Sequence, residues 1–192
     1  MPLSTSALAR SAGGSVEGIA EAVAAFEGLP HAMELVATLD GVRFINDSKA
    51  TNVESARRSI ESVDRDLVVV MGGRFKGGDF RDLIAPLAAR QAIVVAIGEA
   101  SARIVEALGG AVRVETAGSM ADAVRLAYAL APPEGTVVLA PACSSFDMFR
   151  DYVDRGDRFR NAVHELARAF DSHQTGRGGE EPAAGNTGRS GL

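Results

Sequence analysis

The sequence predicts an α/β protein built on a Rossmann-like, doubly wound, mostly parallel sheet with one antiparallel edge strand. Three observations carry that expectation. Four short runs rich in β-branched or apolar residues, "LVVVMGG", "AIVVAIGE", "AVRVETAG" and "TVVLAPAC", are spread over residues 67–143. Three of them have nearly continuous apolar cores, the composition of strands covered on both faces. Stretches of helical periodicity alternate with them, and strands alternating with helices build a parallel sheet.

Each element has its own signal. Residues 15–27, "SVEGIAEAVAAFE", read as an amphipathic helix, with Val16, Ile19, Ala20, Val23 and Phe26 at helical spacing, Ser15 as a cap and Gly28 and Pro30 as terminators. "ELVATL" and "VRFIND" flank Asp40-Gly41, a dipeptide suited to a type I′ turn, and so form an antiparallel hairpin at a sheet edge. The helix "VESARRSIESV" leads to the strand "LVVVM". "DFRDLIAPLAAR" follows, with Pro86 marking a kink or a late helix start. "SARIVEALGG" and "SMADAVRLAYALA" are the helices after the next two strands, and "GDRFRNAVHELARAF" is the last, ending at Phe170. From Ser172 the chain offers Gly, Ser, Thr and charge with almost nothing to bury, so residues 172–192 are expected to be disordered.

Composition narrows the class. A chain of 192 residues, 46% hydrophobic and 23% charged, can bury one full core. The formal net charge of −5 argues against a nucleic-acid partner. Cys143 is the sole cysteine, which excludes an internal disulfide, and no Cys/His cluster suggests a metal site. The N-terminus has no long apolar run and no segment approaches the ~20 apolar residues that cross a bilayer, so neither secretion nor membrane insertion is expected.

Polar residues collect where an open α/β sheet binds its ligands, at the carboxyl ends of the strands. "NDSKATN" follows "VRFI", "GGRFKGGDF" follows "LVVVM", and "PACSSFD" follows "TVVLA". Asp47 or Ser48 could cap a helix beginning near Ala50. Lys49 opposes the macrodipole of that helix, which an anionic ligand would offset. Four glycines around Lys76 allow close backbone approach and suit a carboxylate or phosphate, although a plain glycine-rich connection reads the same way. Lys76 is followed by Gly77, so this is not a Walker A loop. Cys143 reads as a buried small residue more readily than as a nucleophile. Ser144 and Ser145 read as donors to an anion, and Asp147 as a cap for the following helix.

"LPHAMELV…GVRFINDSKATN", "GGRFKGGDF" and "APACSSFDMFRDYVDRGDRF" resemble, in order and spacing, the C-terminal domain of the Mur ligases over most of residues 15–170. "NDSKATN" resembles the branch that adds D-glutamate. The resemblance implies a cytoplasmic, ATP-dependent, peptide-bond-forming ligase of peptidoglycan synthesis. Such an enzyme activates the carboxylate of UDP-N-acetylmuramoyl-L-alanine as an acyl phosphate, which the amine of D-glutamate attacks. It implies residues 1–30 as a helical remnant of a central ATP-binding domain and residues 31–171 as the C-terminal domain. By the same resemblance Asp47 contacts the ATP ribose and His31 belongs with the nucleotide. Lys49 and Thr51 lie by the substrates, and Lys76 and Ser145 hold the D-glutamate carboxylates. Phe146 and Tyr152 line that pocket, Tyr152 partly through its backbone.

The pattern departs from the family at Ala32, where an arginine that contacts the nucleotide is usual, and at Arg74, where some members carry an acid. No GxxGK[ST] occurs in the sequence. ATP and Mg2+ are therefore expected mainly on a central domain outside it, and the chain alone is expected to be inactive. A separately encoded N-terminal portion is one candidate partner. The competing expectation is a standalone, non-catalytic module binding D-glutamate or a nucleotide. A generic Rossmann-like nucleotide binder is disfavoured by the lack of GxGxxG after the first strand.

Overall fold

The computed structural model describes residues 15, 29–64 and 66–177. The helix expected over 15–27 and the tail beyond Arg177 lie outside the described residues. The chain divides into the units Met1–Pro30 and His31–Leu192, and the second carries all the elements below.

Six strands form one sheet in the order β1-β2-β6-β3-β4-β5. β1 (Glu34–Leu39) pairs antiparallel with β2 (Val42–Asn46) at one edge, and every other pairing is parallel. The hairpin turn is made as the Asp40-Gly41 dipeptide requires, with φ of 47° and 81° at its two central residues. β3 (Leu67–Gly72), β4 (Ile93–Ile97) and β6 (Thr136–Leu139) are the interior apolar strands, and β5 (Arg113–Thr116) closes the far edge.

The two faces divide by strict alternation. Val69, Met71, Val94, Ala96 and Val138 face one layer of helices, while Val68, Val70, Val95, Val137 and Leu139 face the other. The first layer holds α1 (Val53–Glu61), a 3-10 turn (Phe80–Leu83) running into α2 (Ile84–Ala89), and α3 (Ser101–Leu108). The second holds α4 (Met120–Leu130) and α5 (Tyr152–Arg177). Pro86 stands in the first turn of α2, so the α-helix starts late, after the 3-10 turn, where the missing N–H costs nothing.

Three details differ from the sequence expectation. The cap of α1 is Asn52, whose side chain accepts from the Ser55 amide at 2.8 Å, so the turn carrying Asp47 and Ser48 is longer than a simple capped entry. α5 begins at Tyr152, where Asp151 Oδ1 accepts the Asp154 amide at 2.8 Å; Asp147 does not cap it. The helix also continues to Arg177, past Ser172 where the expected disordered tail was to begin. Its apolar face continues along α4: Tyr128 meets Phe170 edge-on with ring centroids 5.0 Å apart. No helix among the described residues is long and apolar enough to cross a membrane.

Candidate functional site at the strand ends

The topology explains why three distant loops meet. β6 returns to lie between β2 and β3, so the loop after it lands between the loops that follow those two strands. Backbone hydrogen bonds then join them. Ala142 N donates to Ala50 O at 3.0 Å, Gly72 N to Pro141 O at 2.9 Å, and Arg74 and Ser144 exchange N–H···O bonds of 2.8 and 3.0 Å as a short antiparallel bridge. Gly73 makes this approach possible. Its φ is 128°, and a Cβ there would lie 2.2 Å from the Ser144 carbonyl oxygen.

The 46–52 loop is braced from within. Asn46 is fully buried; its Oδ1 accepts the Ser48 amide at 3.1 Å, and its amide nitrogen reaches Gly156 O at 3.2 Å and His31 Nδ1 at 3.0 Å. The Ser48 hydroxyl donates to Tyr152 O at 2.7 Å. Asp47 Oδ1 accepts the Met33 amide at 3.2 Å, and its Oδ2 accepts a short hydrogen bond from the Ser59 hydroxyl on α1. These bonds turn Asp47 toward the helix and the hairpin entry.

The residues singled out from the sequence fall into two groups. Lys49 and Lys76 are exposed, Thr51 is half-buried, and Phe146 and Tyr152 are exposed at 62% and 38%. These five present their side chains around the strand-end edge. The two lysines are the only ones in the sequence; the other 18 of its 20 Lys and Arg residues are arginines. Many of those arginines are ion-paired, whereas neither lysine has a carboxylate within 4 Å among the described residues. A groove of about 500 Å³ runs between the start of α1 and the glycine-rich loop, lined by Asn52, Val53, Gly77 and Gly78 and also by the charged Glu54, Arg57 and Asp82. Thr51 and Lys76 adjoin these lining residues in sequence.

The second group is turned inward. Ser145 is 2% exposed, and its carbonyl accepts the amides of Met148 and Phe149. Ser144, read from sequence as a donor to an anion, gives both its amide and its hydroxyl to the Arg74 carbonyl. His31 is 5% exposed, its ring packed edge-on to Tyr152 and against Gly156, where a Cβ would meet Nδ1 at 2.1 Å. Cys143 is fully buried, and burial pushes its thiol up to about 12, so it is a packing residue at neutral pH.

One residue of the site has a role other than the cap expected from the sequence, and one has no sequence expectation at all. Asp147 Oδ2 accepts the Glu99 amide at 2.9 Å, fastening the loop after β6 to the end of β4. Arg155 is wholly buried, and its guanidinium bonds the 46–52 loop and the 141–147 loop together. A signal for it exists: Arg155, Phe159, Ala162 and Val163 recur at helical spacing, which puts a charge on the buried stripe of α5.

Fold and strand-end loops together define a doubly wound α/β domain whose strand-end edge carries two exposed lysines and a glycine-rich loop. Comparison with known proteins gives that class its family. Residues 32–143 match the family described as "Mur ligase, glutamate ligase domain", and the chain belongs to it. It is 44% identical over 164 residues to the UDP-N-acetylmuramoylalanine--D-glutamate ligase of Chlorobium phaeobacteroides, covering 85% of this chain and 35% of that relative. It is 46% identical over 143 residues to the enzyme of the same name from Geobacter sp. (strain M21), covering 74% and 32%. The chain thus spans about a third of the length of the curated relatives it matches. Among solved structures, the MurF ligase from Thermotoga maritima in complex with ADP superposes with a TM-score of 0.57 at 14% identity, over 83% of this chain and 36% of that one. That likeness concerns the fold.

Proposed function

We propose that this chain is the C-terminal domain of an ATP-dependent ligase that joins D-glutamate to UDP-N-acetylmuramoyl-L-alanine, and that its share of the work is to bind the incoming amino acid. The observation that carries the reading is the placement of the sequence's only two lysines. Lys49 and Lys76 both stand exposed in loops at the carboxyl ends of β2 and β3, the two strands that flank β6, with no carboxylate within 4 Å among the described residues. Relatives 44–46% identical over the 164 and 143 aligned residues are named for D-glutamate ligation.

The chemistry of the role follows from charge. D-Glutamate brings two carboxylates, and charge-assisted hydrogen bonds from ammonium groups are the stronger kind for such a ligand. Lys76, on a loop of four glycines, is our candidate for one carboxylate, and Lys49 and Thr51, on the loop after β2, are our candidates for the other. Phe146 and Tyr152, partly exposed at the same edge, would shield such ionic contacts from water and strengthen them if they close over the ligand.

The nucleotide fits these residues less well. Asp47 is half-buried with both oxygens engaged, and His31 is turned into the fold, so a ribose contact is open only to the exposed part of Asp47. Among the described residues no group of three or more His, Cys, Asp or Glu side chains could hold a metal ion. ATP, bound with Mg2+, supplies the phosphoryl group that activates the acceptor, and we assign its binding to the part of such a ligase that this chain does not span. The chain alone is accordingly inactive.

The test joins this chain to the N-terminal two-thirds of the Chlorobium phaeobacteroides relative, in place of that enzyme's own C-terminal third. Phosphate release is followed with ATP, Mg2+ and UDP-N-acetylmuramoyl-L-alanine. Turnover that depends on D-glutamate, and is absent with L-glutamate, L-lysine or no amino acid, is the expected result. Turnover by the unjoined chain, or a joined protein that prefers another amino acid, overturns the reading.

A further inference from the structure

Arg155 is among the largest side chains in the molecule with no exposure at all. A buried guanidinium normally has a carboxylate beside it, because taking a full charge out of water is costly. Here its three bonds go to neutral oxygens. Nε donates to the Ser48 hydroxyl at 3.0 Å, one terminal nitrogen to Ser48 O at 2.8 Å, and the other to Cys143 O at 3.0 Å. No carboxylate lies within 4 Å of it among the described residues; Asp147 acts on it only from a greater distance, and desolvation drives its pKa down to about 10.

The three acceptors are informative by position. Ser48 immediately precedes Lys49, and Cys143 lies two residues before Ser145. The same Ser48 hydroxyl that receives Nε passes its own proton to Tyr152 O at 2.7 Å, three residues before Arg155. One side chain therefore ties the loop after β2, the loop after β6 and the first turn of α5 into a single body. A neutral amide could make some of these bonds without the desolvation cost. What an arginine adds is a fork long enough to reach both loops and a positive charge lying beneath them.

We propose that Arg155 is the positioning residue of the strand-end site: it fixes the 46–52 and 141–147 loops in register, and its positive charge, which has no carboxylate at ion-pair distance among the described residues and feels Asp147 only from farther off, is completed by the anionic amino acid that binds across them. The inference rests on the reading of these loops as an amino-acid site. In that arrangement the bound ligand offsets the burial of the guanidinium, and the guanidinium in turn strengthens the hold on the ligand through a low-dielectric layer. Arg155 itself touches no substrate; it acts through Ser48 and the Cys143 carbonyl.

Two measurements test this. The first is amide hydrogen exchange on the chain itself, comparing the native sequence with Arg155→Met, Arg155→Lys and Ser48→Ala. Loss of the fork in Arg155→Met should speed exchange in both loops together by about ten-fold or more, the size expected for charge-assisted bonds, while β4 is unchanged. Faster exchange in α5 alone, or in only one loop, overturns the proposal. The second uses the joined ligase. Arg155→Met should raise the KM for D-glutamate by about ten-fold or more with a several-fold smaller effect on the KM for ATP, and Arg155→Lys, which keeps the charge, should recover much of the loss. Equal effects on both KM values, or Lys behaving as Met does, overturn it. If Arg155→Met does not fold, Ser48→Ala, which removes the Nε acceptor and leaves the charge, carries the same comparison at smaller size. A joined ligase of native sequence that fails to turn over counts against the proposed function, and the exchange measurement then decides the role of Arg155 alone.

Discussion

Replacing Asn46 with Ala removes the brace of the 46–52 loop without touching any exposed residue. Four contacts are lost: the bond accepted from the Ser48 amide at 3.1 Å, those to Gly156 O at 3.2 Å and to Glu34 Oε2 at 3.4 Å, and the contact with His31 Nδ1 at 3.0 Å. Each neutral bond contributes about 1 kcal/mol net, and a buried partner left unmet costs about 1–3 kcal/mol. Glu34 keeps its bonds to the His31 amide and Arg160, and water entering the vacated space can satisfy some of the rest, so the expected loss is about 3 kcal/mol. For a domain of this size that lowers Tm by roughly 6–12 °C. With a urea slope of about 2 kcal/mol/M, the midpoint falls by about 1.5 M. The assay is urea unfolding followed by far-UV circular dichroism, beside Asn52→Ala as a reference. Asn52 caps α1 from an exposed position through one bond to Ser55 N, and its loss should cost about 1 kcal/mol. A loss at Asn46 no larger than at Asn52 would refute the reasoning, because burial would then not be amplifying the polar network.

Three further outcomes follow from the same structure. Gly73→Ala should destabilise by about 2–3 kcal/mol through a strained φ and a clash with the Ser144 carbonyl, whereas Gly77→Ala, with open space around it, should cost only the strain, about 1 kcal/mol; thermal unfolding ranks the two. Cys143 should react with iodoacetamide at about pH 8 on the order of 10³-fold more slowly in the native protein than in urea, since burial raises its thiol to about 12; mass spectrometry of the time course reads this. Burial raises the Glu34 carboxyl, but the His31 amide at 2.9 Å and Arg160 at 2.8 Å outweigh it and the net shift is downward. A lowered carboxylate stabilises above its unfolded value and loses that contribution as pH falls through the folded one, so Glu34→Gln should show a shallower loss of urea midpoint between about pH 5 and about pH 3 than the native chain.

The sheet could be read from the sequence because its physics is local. Val68 to Met71 and Val94 to Ile97 are buried on both faces, so composition alone marks them as interior strands. Asp40-Gly41 declared the hairpin because few other dipeptides take two positive φ values without strain. The three site loops were found for the same reason: strand ends are where polar runs interrupt apolar ones. What the sequence hid depends on contacts between distant segments. Asn46 looks like the first residue of a polar loop, yet the pairing of β2 with β6 and the packing of Gly156 bury it completely. Arg155 sits among the charges of "RDYVDRGDRF", and only its partners on two other loops separate it from the exposed Arg158. His31 was placed with the nucleotide by resemblance, and Ser145 with an anion by its strand-end position as well as by resemblance; the loop closures that bury both have no signature in spacing.

The most direct test of the site is a pair of substitutions in the joined ligase, Lys76→Ala and Asp47→Ala, each with KM measured for D-glutamate and for ATP. If the strand-end loops hold the amino acid, Lys76→Ala raises the KM for D-glutamate by about ten-fold or more, the equivalent of one charge-assisted bond, and changes that for ATP far less. Asp47→Ala shows the opposite preference or none. A Lys76→Ala enzyme that saturates normally with D-glutamate, or one that is impaired only toward ATP, would contradict the account.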